Sequence, residues 1–264
     1  MESETKPYRF DVLTLFPNLI LGAISHSIVG RAIAAGLLQV QARDIRDQTD
    51  DRHRTVDDVP YGGGAGMVMK AEPVVRTLCI AREAMPNGHV VLMSASGRPF
   101  TQAKAREYSA MPGLILVCGH YEGVDERVAE NYVDEELSIG DYVLSGGEIP
   151  ALVVLDAVAR LLPGVLGNTS SLAEESHESG LLEYPQYSRP PEFEGHRVPD
   201  VLLSGNHAEI ARWRHRQALD KTQRNRPDLY AKIPAPTPVP PRATSHLGRP
   251  RDQHQEDSSD EGAR

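Results

Sequence analysis

Cysteine is almost absent from this chain. Among 264 residues there are two, Cys79 and Cys118, each inside an apolar run and neither in a CxxC spacing. That argues against a disulfide framework or a thiolate metal site and for buried thiols in a reducing compartment, so the expected location is the cytoplasm. Long apolar runs are also missing. No stretch approaches the roughly 18 consecutive residues that a membrane span needs, and the opening "MESETKPYRF" has no apolar core of a secretory signal, so no membrane partner is expected. Positive charge is in short supply: 28 Lys and Arg face 37 Asp and Glu, a net charge of −9, so the chain as a whole is no polycation.

Several chemical signatures are lacking too. "YGGGAGMVMK" looks like a phosphate loop, yet GxxxxGK[ST] does not occur, and GxGxxG fails because Met67 or Met69 stands where its last glycine belongs. HExxH and the nucleophile elbow GxSxG are absent. Phosphate cradles, zinc hydrolysis and serine-elbow chemistry therefore have no support.

What is present is an alternation of apolar strands and helices. "YRFDVLTLF" (Tyr8 to Phe16) reads as a buried strand closed by Pro17, and Asn18 to Ala35 as one helix closed by Gly36. "LLQVQAR" is a second strand, followed by a long polar loop with no clean period. A helix is expected from Glu72 to Met85, a strand and tight turn in "HVVLMSASG" and a short helix capped by Thr101. "LILVCGHYEG" is again a strand followed by a glycine-containing loop. Continuous apolar strands separated by helices indicate an α/β fold with a parallel sheet. The loops "SASG", "CGHYEG" and "SIGDYVLSGGE" should then share the carboxyl edge of that sheet, where ligands of open α/β sheets bind. The third is the barest: Ser138, Gly140, Ser145, Gly146 and Gly147 interleave with Ile139, Tyr142, Val143 and Leu144 just before a helix. Such a backbone lets a ligand or another segment approach closely. A glycine-lined, partly apolar pocket with few cations suits S-adenosylmethionine, which carries adenine but no phosphate, slightly better than other nucleoside-like ligands.

Charge is concentrated in one place. Gly205 to Arg226 holds six cations against two carboxylates, a local +4, which raises a nucleic-acid interface beside the plain reading of a solvated helix face. Asn206 with Glu209 three positions later gives that helix a capping-box start.

Five segments together, "DRHRTVDDVPYGGGAGM", "CGHYEGVDERV", "SIGDYVLSGGEIPA", "PGVLGN" and "VLLSGNHAEIARWR", resemble the bacterial tRNA (guanine-N1)-methyltransferases, a family of knotted SPOUT-type enzymes. The likeness runs from Tyr8 to Leu229. It implies a parallel-sheet α/β domain with a C-terminal trefoil knot (residues 1–166). It also implies an interdomain linker (167–181), a small helical tRNA-binding domain (182–233) and, beyond the likeness, a Pro-rich and acidic tail (234–264) read as disordered. It further implies a homodimer with active sites at the subunit interface, and methyl transfer from S-adenosylmethionine to N1 of the guanosine 3′ of a tRNA anticodon.

N1 of neutral guanine carries a proton, so this reaction asks for a base, and O6 gathers negative charge as the proton leaves. The resemblance assigns the O6 contact to Arg160, whose other reading is an i,i+4 pair with Asp156. It assigns the base to Glu175 in "AEESH", where the family usually has aspartate; the other reading is a solvated linker glutamate. For the cofactor it implies Ser94, Gly119, Tyr121 and Glu122, then Ser138, Ile139, Gly140, Asp141, Tyr142, Val143 and Leu144, and finally Gly146, Gly147 and Pro150. His120 stands where the family has arginine. Glu122 is the candidate for a magnesium ion, with an ion pair to Arg127 as its alternative. On the RNA side it implies Asp57 and Gly66 at the target guanines, with Ala65 replacing a proline. His53 and Arg54 are implied at phosphate or at the partner subunit, and Arg212, Arg214 and Arg216 on the tRNA backbone; Trp213 reads as core or interface. Two other classes stay open: a non-catalytic tRNA-binding module of the same fold, and a nucleotide-dependent oxidoreductase.

Overall fold

The computed structural model describes residues 6–167, 176–177 and 180–233. Its centre is a five-stranded sheet built from β1 (Tyr8–Thr14), β2 (Leu38–Asp44), β5 (His89–Pro99), β6 (Gly113–Cys118) and β7 (Glu135–Ser138), in the order β2-β1-β6-β5-β7. All four pairings are parallel, as continuous apolar strands require when helices cover both faces. Strand β6 lies in the middle, with all six of its residues buried. Successive side chains of a strand point to opposite faces. Accordingly Leu114, Leu116 and Cys118 join one apolar layer, and Ile115 and Val117 join the other. Each fully buried Leu, Ile or Val contributes roughly 1.5–3 kcal/mol, so the alternation along β6 fixes the register of the whole sheet.

The first layer is closed by α1 (Pro17–Ile24), α2 (Ser27–Ala34), α4 (Gln102–Ser109) and α6 (Glu148–Ala159). The second is closed by α3 (Ala71–Ala84) and α5 (Glu126–Tyr132). The single helix expected over Asn18 to Ala35 is two helices. Ser27 takes a positive φ of 59°, which no continuous helix allows, and a side chain at Gly30 would fall 2.7 Å from the Ser25 carbonyl. The long polar loop contains one 3-10 turn, Ile45–Gln48, and two short strands, β3 (Asp57–Asp58) and β4 (Val68–Met69), which pair antiparallel. Thr101 caps α4 by accepting from the Lys104 amide, as its position predicts.

Strand β5 is irregular where the cavity forms. Met93 and Arg98 both pair with Leu137, so residues 94–97 leave the ladder and return. Gly97 permits the return: a Cβ there would lie 2.6 Å from backbone carbons of Glu136 and Leu137.

The amino ends of β5 and β7 carry a polar cluster. Glu135 accepts from Tyr108 Oη at 2.7 Å and pairs with His89 Nε2 at 2.9 Å and Lys104 Nζ at 3.4 Å. Burial pushes the Glu135 carboxyl up, but the hydrogen bonds from Tyr108 and His89 and the Lys104 charge outweigh it, and the group sits below its ordinary value.

Beyond residue 180, the Leu182 amide donates to Thr222 Oγ1 and Lys221 Nζ donates to the Glu183 carbonyl. These contacts tie an extended segment to the basic helix His207–Asn225. Asn206 caps that helix by accepting from the Glu209 amide. Among the described residues no helix is long and apolar enough to cross a membrane.

A group with a depressed folded-state pKa contributes stability above its unfolded pKa, and that stability is lost as pH falls through the folded value. Replacing Glu135 by Gln should therefore lower the melting temperature at pH 7. The gap from wild type should close as pH drops below about 4.3, the ordinary glutamate value; thermal melts across pH check this. Gly97→Ala should cost about 1–3 kcal/mol by overpacking against strand backbone. Gly22→Ala, with nothing within 4 Å of the added methyl, should stabilise α1 by about 0.5–1 kcal/mol. Chemical denaturation of the two variants gives the comparison.

Candidate active site

The three loops expected on one sheet edge do meet there. Residues 94–97, a bulge within β5 rather than a turn after it, join 119–124 after β6 and 138–147 at the end of β7 and enclose a cavity of about 270 Å³. Ser94 and its neighbours Ala95 and Ser96 line one side. Gly119, Tyr121 and Glu122 line a second, and Ser138, Ile139, Gly140, Tyr142, Val143, Leu144, Gly146, Gly147 and Pro150 line the third. Asp141 is the exception among the residues implied for the cofactor: it is exposed and not part of the wall.

Main chain builds most of this wall. The Gly147 amide donates to the Gly119 carbonyl at 2.8 Å, and His120 and Gly146 form an isolated antiparallel bridge. A Cβ on Gly147 would lie 2.7 Å from Cys118 Cα and 2.9 Å from the Gly119 nitrogen, so two backbones touch where α6 begins. At Gly140, φ is +154°, and a Cβ would meet the Tyr142 ring. Ser138 Oγ closes this turn by donating to the Gly140 carbonyl and accepting from its amide.

The electrostatics are one-sided. No Lys or Arg lines the cavity, whereas Glu122, Glu126 and Glu136 do. Arg127, the nearest candidate partner for Glu122, is bound to Asp125 instead through Nε at 2.8 Å and Nη2 at 2.6 Å. Those hydrogen bonds from Arg127 hold the Asp125 carboxyl below its ordinary value. The alternative reading of Glu122 as the Arg127 counter-ion is therefore not what the structure contains.

Under the cavity lies a buried carboxylate that the motif reading passed over. Glu148, 4% exposed in the first turn of α6, accepts from Thr14 Oγ1 at 2.8 Å. Its other oxygen is 4.0 Å from His120 Nδ1, which is buried and has no hydrogen-bond partner among the described residues. Both side chains crowd over Gly146. Burial and the Glu148 charge push the Cys118 thiol well above its ordinary value, so it is an inert core group. An acidic residue directly after two glycines at a helix start was the available signal for Glu148.

The glycine-rich loop reaches the same wall. The Glu122 amide donates to the Met67 carbonyl, and the Met69 amide donates to that of Gly123. Gly66 packs against the Glu122 side chain, with φ of +84° and no room for a Cβ. Asp57 is half-buried and pairs with Met69 across β3 and β4, one strand further out. Arg54, with φ of +55°, pairs with Asp47 and Asp44.

Other implied residues are not gathered here. Arg160 caps the far end of α6, about 15 Å from Pro150 at 1.5 Å per helical residue. Glu175 lies outside the described residues. Arg212 and Arg216 are exposed on one face of the basic helix, whereas Arg214 is half-buried on another. The three cations do not form a single stripe.

Comparison with known proteins covers most of the chain. Residues 8–232 match the family model described as tRNA (Guanine-1)-methyltransferase TrmD. The chain is 57% identical to the tRNA (guanine-N(1)-)-methyltransferase of Chloroflexus aggregans over 228 residues, covering 86% of this chain and 89% of that protein. It is 58% identical over 224 residues to the one from Methylococcus capsulatus, covering 84% and 89%. It is 53% identical over 227 residues to the one from Ruminiclostridium cellulolyticum, covering 86% and 97%. With its sheet-edge cavity and its glycine loops inside the matched span, the chain belongs to the tRNA (guanine-1)-methyltransferase family.

Proposed function

We propose that this chain is a cytoplasmic enzyme that transfers a methyl group from S-adenosylmethionine to N1 of the guanosine 3′ of a tRNA anticodon. The observation that carries the reading is the cavity: a main-chain wall at the carboxyl ends of β5, β6 and β7, with three glutamates and no Lys or Arg. That chemistry suits S-adenosylmethionine. Backbone amides and carbonyls bind an adenosyl group, the aliphatic side chains of Leu92, Ile139 and Leu144 take its apolar surface, and carboxylates favour a cation where a phosphate would be repelled. When bound, the group supplies an electrophilic methyl on a positively charged sulfur.

The chain's own residues do the rest. Glu175 removes the N1 proton of guanine, and Arg160 holds the negative charge that gathers on O6. Gly66 and Asp57 hold the anticodon-side guanines next to the Glu122 wall, and Arg212 and Arg216 grip phosphates. The backbone contact at Gly147 supports a threaded, knotted course for residues 138–147 through the loop that follows β6. Domain limits follow the sequence reading: a cofactor domain to residue 166, a linker to 181 and a tRNA-binding region to 233.

One protomer leaves Arg160 away from its own cavity, and α6 suggests how the gap closes. Ile149, Val153 and Arg160 lie on one face of this helix, and Ile149 and Val153 are 51% and 41% exposed. Phe16, Leu19 and Leu21 of the adjoining α1 region are exposed to a similar degree. This apolar face supports a homodimer in which Arg160 of one protomer serves the cavity of the other.

Magnesium fits less well. Among the described residues no group of three ligating side chains stands together. Glu122 is a single carboxylate at the cavity edge, and no step is assigned to a metal.

Incubation of the protein with tRNA and labelled S-adenosylmethionine, with mass analysis of the digested nucleosides, tests the function: methyl on any atom other than guanine N1 sinks it. Glu175→Ala should lower the turnover number by about 10²–10⁴ while S-adenosylhomocysteine binding, measured by calorimetry, stays as in wild type; full activity in that variant would remove Glu175 from the mechanism. Gly147→Ala should weaken S-adenosylhomocysteine binding at least tenfold, because its methyl can be housed only by separating the 147 backbone from Cys118 and Gly119.

A further inference from the structure

A second cavity, of about 620 Å³, opens between residues 184–191 and the basic helix. Its size falls within the range of about 300–1,000 Å³ that small-molecule sites occupy. Tyr184, Tyr187 and Trp213 contribute rings to its walls. The Tyr187 and Trp213 rings lie 6.4 Å apart at 53°, so they form two faces of a corner rather than a closed stack. Tyr187 is 49% exposed, which leaves the corner open to solvent. Arg214 also lines the cavity, with its guanidinium carbon 4.7 Å from the Tyr184 ring centre. Its Nε is buried and has no hydrogen-bond partner among the described residues. An orphaned donor of this kind carries a penalty that a guest with an acceptor removes.

The surroundings narrow the class of guest. Arg212 and Arg216, two positions to either side of Arg214, lie on the other face of the helix and take no part in the cavity wall. A guest matching this cavity has a flat π-face for the corner and an acceptor on its edge for Arg214. An unpaired nucleobase within an RNA strand has both. Single-stranded RNA is read by stacking on aromatic and guanidinium faces with hydrogen bonds to base edges.

We propose that this cavity takes one unpaired nucleobase of the tRNA anticodon loop, other than the methylated guanine, stacked in the Tyr187–Trp213 corner with Arg214 Nε donating to its edge. The inference rests on the tRNA reading above and deepens it. Two bases are then held at two cavities of one protein, and the loop is gripped on both sides of its reacting guanine. Trp213, which reads as core or interface in the sequence, becomes a stacking platform.

Trp213 is the only tryptophan in the chain, so its fluorescence reports on this corner alone. The full chain is titrated with an anticodon stem-loop RNA and with a series in which each loop nucleotide in turn is made abasic. The intact stem-loop should quench Trp213. One abasic position should abolish the quench and weaken binding about tenfold or more, the scale of a stacked base. Tyr187→Ala should reproduce that loss and Tyr187→Phe should not. Arg214→Gln should weaken the intact RNA but leave the affinity for that one abasic RNA unchanged. Equal quenching by an RNA with every loop base removed, or by polyphosphate, would overturn the proposal in favour of a phosphate-only contact. Quenching by a synthetic peptide of Pro234–Arg242 that also displaces the RNA would overturn it in favour of the chain's own proline-rich segment. Normal N1 methylation with a silent Trp213 defeats the docking site alone, whereas absence of tRNA methylation defeats the reading beneath it.

Discussion

Where α6 leaves Gly147, two stretches of main chain come so close that one methyl group would push them apart. The Gly147 amide spends its hydrogen bond on the Gly119 carbonyl. This contact joins the end of the central strand to the start of the helix that closes one face of the sheet. It fixes where residues 138–146 can run, and so determines the cavity wall. Glu148, the next residue, is thereby carried under the cavity, where Thr14 of β1 satisfies it. Cys118, Gly119, Gly146, Gly147 and Glu148 behave as one unit, and the bareness of the glycines is a packing requirement before it is a binding one.

A wall made of backbone has a chemical consequence. Peptide groups supply donors and acceptors without net charge, so the cavity's electrostatic sign is set by the few side chains that enter it. Those are glutamates. The helix 207–225 carries five cations against two carboxylates, on a chain whose net charge is −9. The cavity thus favours a cationic ligand and the helix a polyanionic one, as a methyl donor and a tRNA acceptor would require. Screening reduces this sorting over distances beyond about 8–10 Å at ordinary ionic strength, but within each site it persists.

Much of this was legible in the sequence, and the omissions have physical causes. Strands β1 and β6 are buried on both faces and read as plain apolar runs. The loop after β6 announced itself by glycine following such a run, whereas the tight turn expected after Met93 is a bulge, since β5 resumes to Pro99. Helices α1 and α2 merged in the reading because apolar spacing continues across Ser25 to Ser27; the break is a backbone conformation at Ser27, and no periodicity encodes it. Strand β7 has four residues, too few to show a period, and takes its structure from pairing with β5. Glu148 was passed over because its burial depends on Thr14, 134 residues earlier. Asp141 matched a motif yet faces solvent, since within a tight turn neighbouring residues cannot all point inward. The cavity at Trp213 was invisible because it needs two segments whose contact is tertiary.

The position of Arg160 shows what a single chain can and cannot assemble. An α-helix of twelve residues is stiff, and its two ends are held apart by its own hydrogen bonds. No side-chain rotation carries a guanidinium from the last turn of α6 back over that distance to Pro150. A base and an oxyanion contact must nevertheless sit within hydrogen-bond reach of the reacting guanine. In the proposed dimer a second copy brings its Arg160 to this cavity and rests on the helix face bearing Ile149 and Val153. The exposed apolar residues on α6 and the distance of Arg160 from Pro150 are both met by the proposed dimer, in which Arg160 of one protomer serves the cavity of the other.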